Sequence, residues 1–327
     1  MQAWLLDTFS GVESLRRAEV ADPVPAEGEV LLEMRYAALN PADRYLAEKQ
    51  YPARPPLPHI LGRDGLGVVR QIGRSVTGFQ VGQECLILRS EIGVNRAGTF
   101  AGLVAVPADS LAVPPAHWSA PQAASAGLVY LTAYQALTQW GEQPAGVVLV
   151  TGASGGVGIA SIQLARALGH TVVALSRSAA KCVELQKLGA QYTLDPADAQ
   201  WVVQLKSAIG PRRVDLAIDN IGGELLPQVI ETLGDQGKVS LVGRLAGTVP
   251  QFNTATLFFR RLRMGGVSAG AYTPAEAADA WRNIVRLLSK TGAKPVVDRI
   301  FSFERLDDAF ARLAEGPLGK VVLEIPA

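Results

Sequence analysis

The sequence has little of what disulfide-bonded and metal-binding proteins need. Its 327 residues include two cysteines, Cys85 and Cys182, which lie far apart and form no Cys-x-x-Cys pair. The three histidines, His59, His117 and His170, show no spacing typical of metal ligands. We therefore expect neither a disulfide framework nor a metal site.

An excess of charge of either sign is also missing. Lys and Arg total 31 against 30 for Asp and Glu, which gives a net charge of +1. This balance gives no reason to expect a nucleic-acid partner or binding to an anionic membrane surface. Hydrophobic residues make up 48% of the chain, so a large core is available, and the length suits two domains.

Two further absences bear on localisation. The chain does not open with a basic segment and a long apolar run, so no signal peptide is visible and we expect a cytoplasmic protein. Residues 110–141 hold no Asp, Glu, Lys or Arg, but prolines and glutamines interrupt them. A buried helix is therefore a better interpretation of this stretch than a membrane span.

The pattern of secondary structure changes along the chain. Up to about residue 110, short apolar runs between Pro and Gly clusters predict a compact, barrel-like β domain. From about residue 122, alternating strands and helices predict a parallel doubly wound sheet. The tail is too short for a core of its own. We therefore expect residues 1–122 and 269–327 to form one discontinuous domain and residues 123–268 to form the other.

Periodicity and capping residues place the individual elements. Helices are predicted over residues 121–139, 157–168, 179–188, 201–208, 224–232, 274–289 and 306–314. Strands are predicted over residues 30–36, 67–72, 84–88, 100–106, 147–150, 171–175, 214–218, 238–242, 262–268, 296–303 and 320–325.

The most informative segment is residues 147–158, which read VVLVTGASGGVG. Four apolar β-formers lead into a glycine-rich turn, and an amphipathic helix follows, which is the opening of a dinucleotide-binding βαβ unit. The glycines let the backbone approach a pyrophosphate, and the helix N-terminus offers N–H groups to the anion. The cofactor-binding residues predicted at this turn are Ala153, Ser154, Gly155, Gly156 and Val157.

The residues after the second predicted strand favour NADPH over NADH. Ser176, Arg177 and Lys181 stand where an NAD-specific fold tends to place an acidic residue for the ribose diol. An acid would repel a 2′-phosphate, whereas a hydroxyl and two cations donate hydrogen bonds to it. The alternative is that the two cations form a solvated surface pair.

The glycine segment also fits the TGxxxGxG pattern of short-chain dehydrogenases. Those enzymes need a Tyr-x-x-x-Lys pair, in which the Tyr acts as the acid. The downstream tyrosines, Tyr192 and Tyr272, are followed at the lysine position by Pro196 and Glu276. That family is therefore excluded.

With a β domain ahead of the turn, the chain resembles the zinc-independent quinone oxidoreductases of the medium-chain dehydrogenase/reductase superfamily over nearly its whole length. The motifs that carry the resemblance are NPAD at 40–43, LGRDGLGV at 61–68, GTF at 98–100, LTAYQAL at 131–137, the turn at 147–158, DNIGG at 219–223 and GKVV at 319–322. The resemblance implies an α/β fold with a GroES-like β-rich catalytic domain and an inserted Rossmann domain built on a doubly wound parallel sheet.

Departures from the zinc alcohol dehydrogenases of the superfamily are informative. Those enzymes carry a Cys near the Asn-Pro segment and a Gly-His-Glu motif, and here Asn40 has no Cys beside it and the motif reads Gly62-Arg63-Asp64. A catalytic metal would lack ligands, and without a Lewis acid the acceptors that take hydride readily are favoured. We therefore expect an NADPH-dependent, zinc-independent reductase of quinones or activated C=C acceptors such as α,β-unsaturated carbonyls.

The resemblance also assigns the candidate catalytic residues. Asn40 corresponds to the family residue that faces the nicotinamide, and Tyr45 and Tyr51 correspond to tyrosines that line the active site. Tyr51 stands in the place of the proton donor proposed in related enoyl reductases. Lys49 departs from the pattern, because relatives usually carry Gly at this position.

Further cofactor contacts are expected near the nicotinamide and the ribose. Thr132 corresponds to a family hydroxyl near the nicotinamide, Asn220 is expected on the ribose or diphosphate side, and Val242 and Gly243 are expected close to the nicotinamide. In relatives the sheet edge formed here by residues 262–268 pairs across a two-fold axis, so we expect a homodimer. The alternatives left open are a 2-enoyl thioester or enone reductase and a non-catalytic NADPH-binding sensor or structural protein.

Overall fold

The computed structural model describes residues 1–88 and 91–326 of the chain. These residues form two compact units. The first comprises Met1–Leu128, Ala269–Trp281 and Lys294–Ala327, and the second comprises Val129–Ser268 and Arg282–Ala293. The first unit extends to Leu128, whose backbone N–H donates to Oδ1 of Asp64 at 2.9 Å.

Strands and helices are numbered in chain order. The strands are β1 (Gln2–Leu6), β2 (Leu15–Glu19), β3 (Glu29–Ala38), β4 (His59–Ile60), β5 (Asp64–Ile72), β6 (Glu84–Ile87), β7 (Leu103–Pro107), β8 (Leu111–Ala112), β9 (Val147–Val150), β10 (Thr171–Leu175), β11 (Tyr192–Leu194), β12 (Val214–Asp219), β13 (Leu233–Leu241), β14 (Arg263–Gly266), β15 (Val297–Ser302) and β16 (Lys320–Glu324). The helices are α1 (Pro41–Ala47), α2 (Ala120–Ala124), α3 (Gly127–Thr138), α4 (Gly156–Ala167), α5 (Ala179–Leu188), α6 (Trp201–Ile209), α7 (Leu225–Thr232), α8 (Ala255–Phe259), α9 (Pro274–Thr291) and α10 (Leu306–Ala314).

The first unit is built on two β-sheets. A three-stranded sheet has the order β2-β1-β4, and a larger sheet has the order β15-β16-β3-β5-β6-β8, with β7 also paired to β3. Most pairings are antiparallel, but the tail strands β15 and β16 run parallel to each other, and β16 joins β3. The tail therefore completes the sheet that the N-terminal region begins.

Aromatic side chains join the ends of the chain in the core of the first unit. Nε1 of buried Trp4 donates to the carbonyl oxygen of Phe303 at 2.9 Å. The rings of Phe100 and Phe310 meet edge to face, with centroids 6.0 Å apart. Such aromatic pairs add directional contacts to the burial of large apolar surfaces.

The second unit is a parallel sheet with the order β11-β10-β9-β12-β13-β14. All residues of the central strand β9 are buried, as expected for a parallel strand covered on both faces. The buried residues of α6 are Trp201, Leu205 and Ile209, which recur every four residues on one face of the helix. The predicted α/β fold with a doubly wound parallel sheet is confirmed.

The structure corrects one predicted helix and adds elements that were not predicted. Residues 121–139 form α2 and α3 instead of one helix, with residues 125 and 126 between them. Gly127, the first residue of α3, packs so closely on the carbonyl oxygen of Ile87 that a Cβ could not fit there. β1, β2, β4, β8, β11, α1 and α8 were not predicted. In β2 most side chains are charged and exposed, and β11 has three residues, so neither carries a clear apolar period.

Across residues 1–88 and 91–326, no helix is both long and apolar enough to cross a bilayer.

Candidate functional site

The glycine-rich turn after β9 opens directly into α4. Gly152 has a φ of 55°, a left-handed conformation that favours glycine, and Gly155 is the N-cap of a helix that begins at Gly156. The first N–H groups of α4 have no intrahelical carbonyl partner and point out of the helix N-terminus. With the dipole of a 12-residue helix behind them, these groups favour an anion.

Two glycines of this turn have different surroundings. A Cβ at Gly158 would lie 2.6 Å from Cα of Ala153, so this glycine lets the helix pack against the turn. Gly155 has a φ of −75°, and among the described residues a Cβ there would meet only the carbonyl oxygen of Gly152, at an ordinary 3.5 Å. Neither backbone conformation nor packing requires a glycine at 155. The open space beside it therefore fits a group that approaches the backbone from outside the chain.

The turn lies at the switch point of the sheet. β9 has β10 on one side and β12 on the other, and ligands bind at the carboxyl ends of the strands at such a point. Thr151 Oγ1 donates to Asp219 Oδ1 at 2.6 Å, and Asn220 Nδ2 donates to the carbonyl oxygen of Thr151 at 2.7 Å. These bonds fix the predicted residue Asn220 beside the glycine turn.

Asp219 organises the loop after β12. Its Oδ2 accepts the N–H of Gly222 at 3.0 Å, and its carbonyl oxygen accepts the N–H groups of Val242 at 2.9 Å and Gly243 at 3.2 Å. Gly243 lies against the carbonyl oxygen of Asn220, where a Cβ could not fit. The structure therefore brings three predicted residues together through Asp219, which the sequence analysis did not select. The position of Asp219 at the end of a buried strand could have indicated its role.

The predicted 2′-phosphate residues follow β10, next to the glycine turn. The N–H of Ala153 donates to the carbonyl oxygen of Leu175 at 3.4 Å, which joins the turn to the end of β10. Ser176 is buried, Arg177 is exposed, and Lys181 is half-buried in the first turn of α5. A hydroxyl-bearing residue and two cationic residues thus follow the strand whose end is joined to the glycine turn.

Thr132 and Tyr45 are half-buried on α3 and α1, and their roles remain predictions. Lys49 takes the left-handed conformation, with a φ of 59°, which favours glycine. The guanidinium of Arg54 donates to the carbonyl oxygen of Lys49 at 2.8 Å and to that of Tyr51. The loop that carries Tyr51 is therefore held by its own side chains, despite the non-glycine residue.

Asn40 lies between β3 and α1 and is almost fully buried. Its N–H donates to Asp43 Oδ2 at 2.8 Å, and the N1 proline of α1 follows it, which is a favourable helix start. Its Nδ2 donates to Asp64 Oδ2 at 2.9 Å, and its Oδ1 accepts from Lys320 Nζ at 2.6 Å. The Asn40 amide is therefore held rigidly from two sides.

Asp64 and Lys320 form a buried ion pair behind Asn40. Lys320 Nζ lies 3.0 Å from Asp64 Oδ2, and the side chains are 6% and 0% exposed. Removing one partner would leave a buried charge, at a cost of roughly 3–5 kcal/mol. Because β16 carries the lysine and β5 carries the aspartate, the tail is tied to the N-terminal region at the site.

A second buried ion pair joins Asp43 and Arg63. Nε of Arg63 lies 3.5 Å from Asp43 Oδ1, and the side chains are 3% and 0% exposed. The Nη1 group of Arg63 donates to the Tyr51 hydroxyl at 3.2 Å, and the centre of the guanidinium lies 4.3 Å from the centroid of the Tyr51 ring. Tyr51 is therefore stacked on, and hydrogen-bonded to, a buried cation.

Burial raises the pKa of Asp43 from 3.8 to about 6. The charges of Arg63 and Lys320 and the N–H of Asn40 oppose this rise, and the nearby charge of Asp64 adds to it. Asp43 is therefore a carboxyl group that titrates in mildly acidic solution.

The charged residues of this cluster were not predicted as site residues. Asp43, Arg63, Asp64 and Lys320 occur within the motifs of the resemblance, but their contacts join segments that are far apart in the sequence. Their signal was the presence of ionised residues within otherwise apolar segments, because buried charges are rare unless they are paired.

Among the described residues, no group of three or more His, Cys, Asp and Glu side chains could hold a metal ion. His59 is buried, and His170 accepts the N–H of Gly146 through Nδ1 at 3.1 Å. These histidines have packing roles in the structure.

Two family descriptions match the chain. The alcohol dehydrogenase GroES-like domain matches residues 26–116, and the zinc-binding dehydrogenase family matches residues 156–290. Among curated proteins, the synaptic vesicle membrane protein VAT-1 homolog of Homo sapiens is 30% identical, over 99% of this chain and 86% of the relative. The quinone oxidoreductase of Rattus norvegicus is 29% identical, over 99% of this chain and 97% of the relative.

Solved structures match over the same length. An NAD-dependent alcohol dehydrogenase superposes with a TM-score of 0.91 and 28% identity, and covers 100% of each chain. The quinone oxidoreductase of Escherichia coli complexed with NADPH superposes with a TM-score of 0.89 and 25% identity, over 99% of this chain and 100% of that structure.

Proposed function

Because this chain belongs to the quinone oxidoreductase-like family of the medium-chain dehydrogenase/reductase superfamily, we propose that it is an NADPH-dependent, zinc-independent oxidoreductase. Its acceptor is a quinone or an activated carbon–carbon double bond. The observation that carries the proposal is the glycine turn at the switch point, with a hydroxyl and two cations beside it. The similarity to a quinone oxidoreductase that is complexed with NADPH supports the same assignment.

The residues of the second unit suit NADPH. The open N–H groups of α4 would bind the pyrophosphate, and the space beside Gly155 would admit it. Ser176, Arg177 and Lys181 would bind the 2′-phosphate through charge-assisted hydrogen bonds. The remaining proposed contacts, near the ribose and the nicotinamide, are Thr132, Asn220, Val242 and Gly243. When bound, NADPH supplies the hydride from C4 of its nicotinamide.

The donor set of the first unit supports chemistry without zinc. The carboxylates of Asp43 and Asp64 already face the cations of Arg63 and Lys320. A guanidinium has no lone pair to offer to a metal, and a metal cation beside these two fixed cations would be repelled. Without a Lewis acid, acceptors that are already electron-poor are favoured, such as quinones and enones.

A matched pair of glycine variants tests the cofactor site. Gly155→Val should fold with a melting temperature lowered only slightly, because the chain leaves room for a Cβ there although Val is a poorer N-cap than Gly. It should nevertheless lose NADPH binding by about 100-fold or more through a clash worth about 3 kcal/mol. Gly158→Ala should instead lower the melting temperature, since its Cβ would meet Ala153 at 2.6 Å. Fluorescence titration with NADPH and thermal unfolding separate the two effects. Unchanged NADPH affinity in Gly155→Val would argue against the proposed site.

A 2-enoyl thioester or enone reductase is the second candidate, because Tyr51 lies beside a buried cation and suits a proton donor. Carbon protonation requires such a donor, whereas the oxygens of a reduced quinone exchange protons with water. Tyr51→Phe should therefore slow reduction of an enone more than reduction of a quinone. Equal slowing would favour the quinone reductase. NADPH binding without any turnover would indicate a sensor or structural role. The similarity to a protein named for the synaptic vesicle membrane is the reason to test this alternative.

A further inference from the structure

The contact between Arg63 and Tyr51 fixes the direction of a hydroxyl proton. A guanidinium has only donors, so at 3.2 Å from Arg63 Nη1 the Tyr51 oxygen must accept. The one O–H of Tyr51 is then turned away from Arg63. Tyr36 shows the opposite case, because its hydroxyl donates to Oε1 of Glu324 at 3.0 Å and its proton is held by that carboxylate.

The position of Arg63 is also fixed. The side chain is 3% exposed and faces Asp43 through Nε at 3.5 Å, while Nη2 reaches the carbonyl oxygen of Ala42 at 3.5 Å. The phenol ring lies over the guanidinium, with 4.3 Å between guanidinium carbon and ring centroid. A buried, paired cation cannot rotate away from the Tyr51 oxygen without leaving its anion unpaired.

We propose that Arg63 is a positioning residue that makes Tyr51 a proton donor, an inference that rests on the proposed reductase function. Reduction of an activated C=C adds the hydride from NADPH to the β-carbon and a proton to the α-carbon. Tyr51 gives that proton from its Oη, the O–H bond breaks as the C–H bond forms, and water returns a proton to the phenolate. Arg63 lies where negative charge develops on Oη during the transfer, and Asp43 balances the cation between turnovers.

A mutational cycle tests whether Arg63 acts through Tyr51. The Arg63→Met/Asp43→Asn variant removes the cation together with its anion, so no buried charge is left unpaired. We expect kcat/KM for an enone to fall about 100-fold in this variant, in Tyr51→Phe and in the combined triple variant alike. Losses that multiply in the triple variant would show that Arg63 acts independently of Tyr51, and would overturn the inference.

Two matched controls accompany the cycle. Arg63→Lys keeps the cation but not the planar fork, and it should restore part of the enone rate relative to Arg63→Met/Asp43→Asn. Arg44→Met removes an exposed arginine whose partner is Glu48 on the same surface, and it should leave the rate unchanged. Melting temperatures identify any variant that fails to fold.

A readout without turnover separates this inference from the proposed function. In protein labelled with ¹³C at the tyrosine Cζ atoms, the Tyr51 signal is assigned by its loss in Tyr51→Phe. It should shift in Arg63→Met/Asp43→Asn and stay in place in Arg44→Met. A signal that does not move would overturn the positioning role even if the wild-type protein reduces enones. A wild-type protein that reduces neither enones nor quinones while the signal shifts would instead contradict the proposed function, and with it the donor role of Tyr51.

Discussion

Asp43 and Arg63 show how individual residues set the chemistry of the first unit. Both side chains are almost completely buried, so each charge depends on the other and on the neighbours of the cluster. The N–H of Asn40 and the charges of Arg63 and Lys320 stabilise the Asp43 carboxylate, while burial and Asp64 oppose ionisation. The result is a carboxyl group with a pKa of about 6.

This balance predicts a pH dependence of stability. The pKa of Asp43 is raised from 3.8 to about 6 in the folded protein, so between these values the folded chain binds a proton more tightly than the unfolded chain. The contribution of Asp43 to the free energy of unfolding should therefore fall by up to about 3 kcal/mol as the pH rises through this window. Asp43→Asn removes the titration.

Urea unfolding of wild-type protein and Asp43→Asn at several pH values checks this prediction. Leaving Arg63 without its anion should lower the stability of the variant by an amount that does not change with pH. In addition, the free energy of unfolding of the variant relative to the wild type should rise as the pH rises from about 4 to about 6. Asp198 is an exposed control with the opposite sign, because the N–H of Gln200 lowers its pKa. A difference between Asp43→Asn and wild type that does not vary with pH would contradict the assigned balance.

At the scale of elements, local signals decided what could be predicted. α5 and α10 were predicted with their observed bounds, and α5 has an N-cap serine at 178 and a C-cap glycine at 189. The turn before α4 was recognisable because strand, glycines and helix are contiguous. The charged cluster was not, because α1, the start of β5 with the residue before it, and β16 supply its residues, and pairing across such sequence distances leaves no local pattern.

The segment after β10 carries a prediction about cofactor choice. Arg177→Ala/Lys181→Ala should weaken NADPH binding by about 100-fold or more and change NADH binding little, because two charge-assisted bonds are worth roughly 1.5–3 kcal/mol each. Lys187→Ala is the control, since this exposed lysine of α5 pairs with Glu184. The dissociation constants of NADPH and NADH measure this effect. Equal losses of affinity for the two cofactors would refute the 2′-phosphate assignment.

At the scale of the whole molecule, the edge of the parallel sheet bears on assembly. β14 ends the strand order of the second unit, and an open edge offers backbone groups for pairing with another chain. Phe258 and Phe259, shortly before this strand, are 63% and 80% exposed, and their rings lie against each other with centroids 4.5 Å apart; contiguous exposed apolar surface is typical of interaction sites. We propose that a second copy of the chain covers this edge in a homodimer.

Light scattering at low micromolar concentration tests the homodimer. The proposal predicts twice the mass of the chain, with a two-fold axis across which β14 pairs with its copy. A monomer mass under these conditions would refute it, and the exposed phenylalanines would then need another partner.

The most direct test of the central claim is NADPH consumption, followed under anaerobic conditions at 340 nm with a benzoquinone, an ortho-quinone, a simple enone and a short enoyl-CoA. We expect oxidation of NADPH with these acceptors. A preference for the quinones would support the quinone reductase, and a preference for the enone or thioester would support the second candidate. Absence of turnover with all four acceptors, despite tight NADPH binding, would contradict the claim that this chain is a reductase.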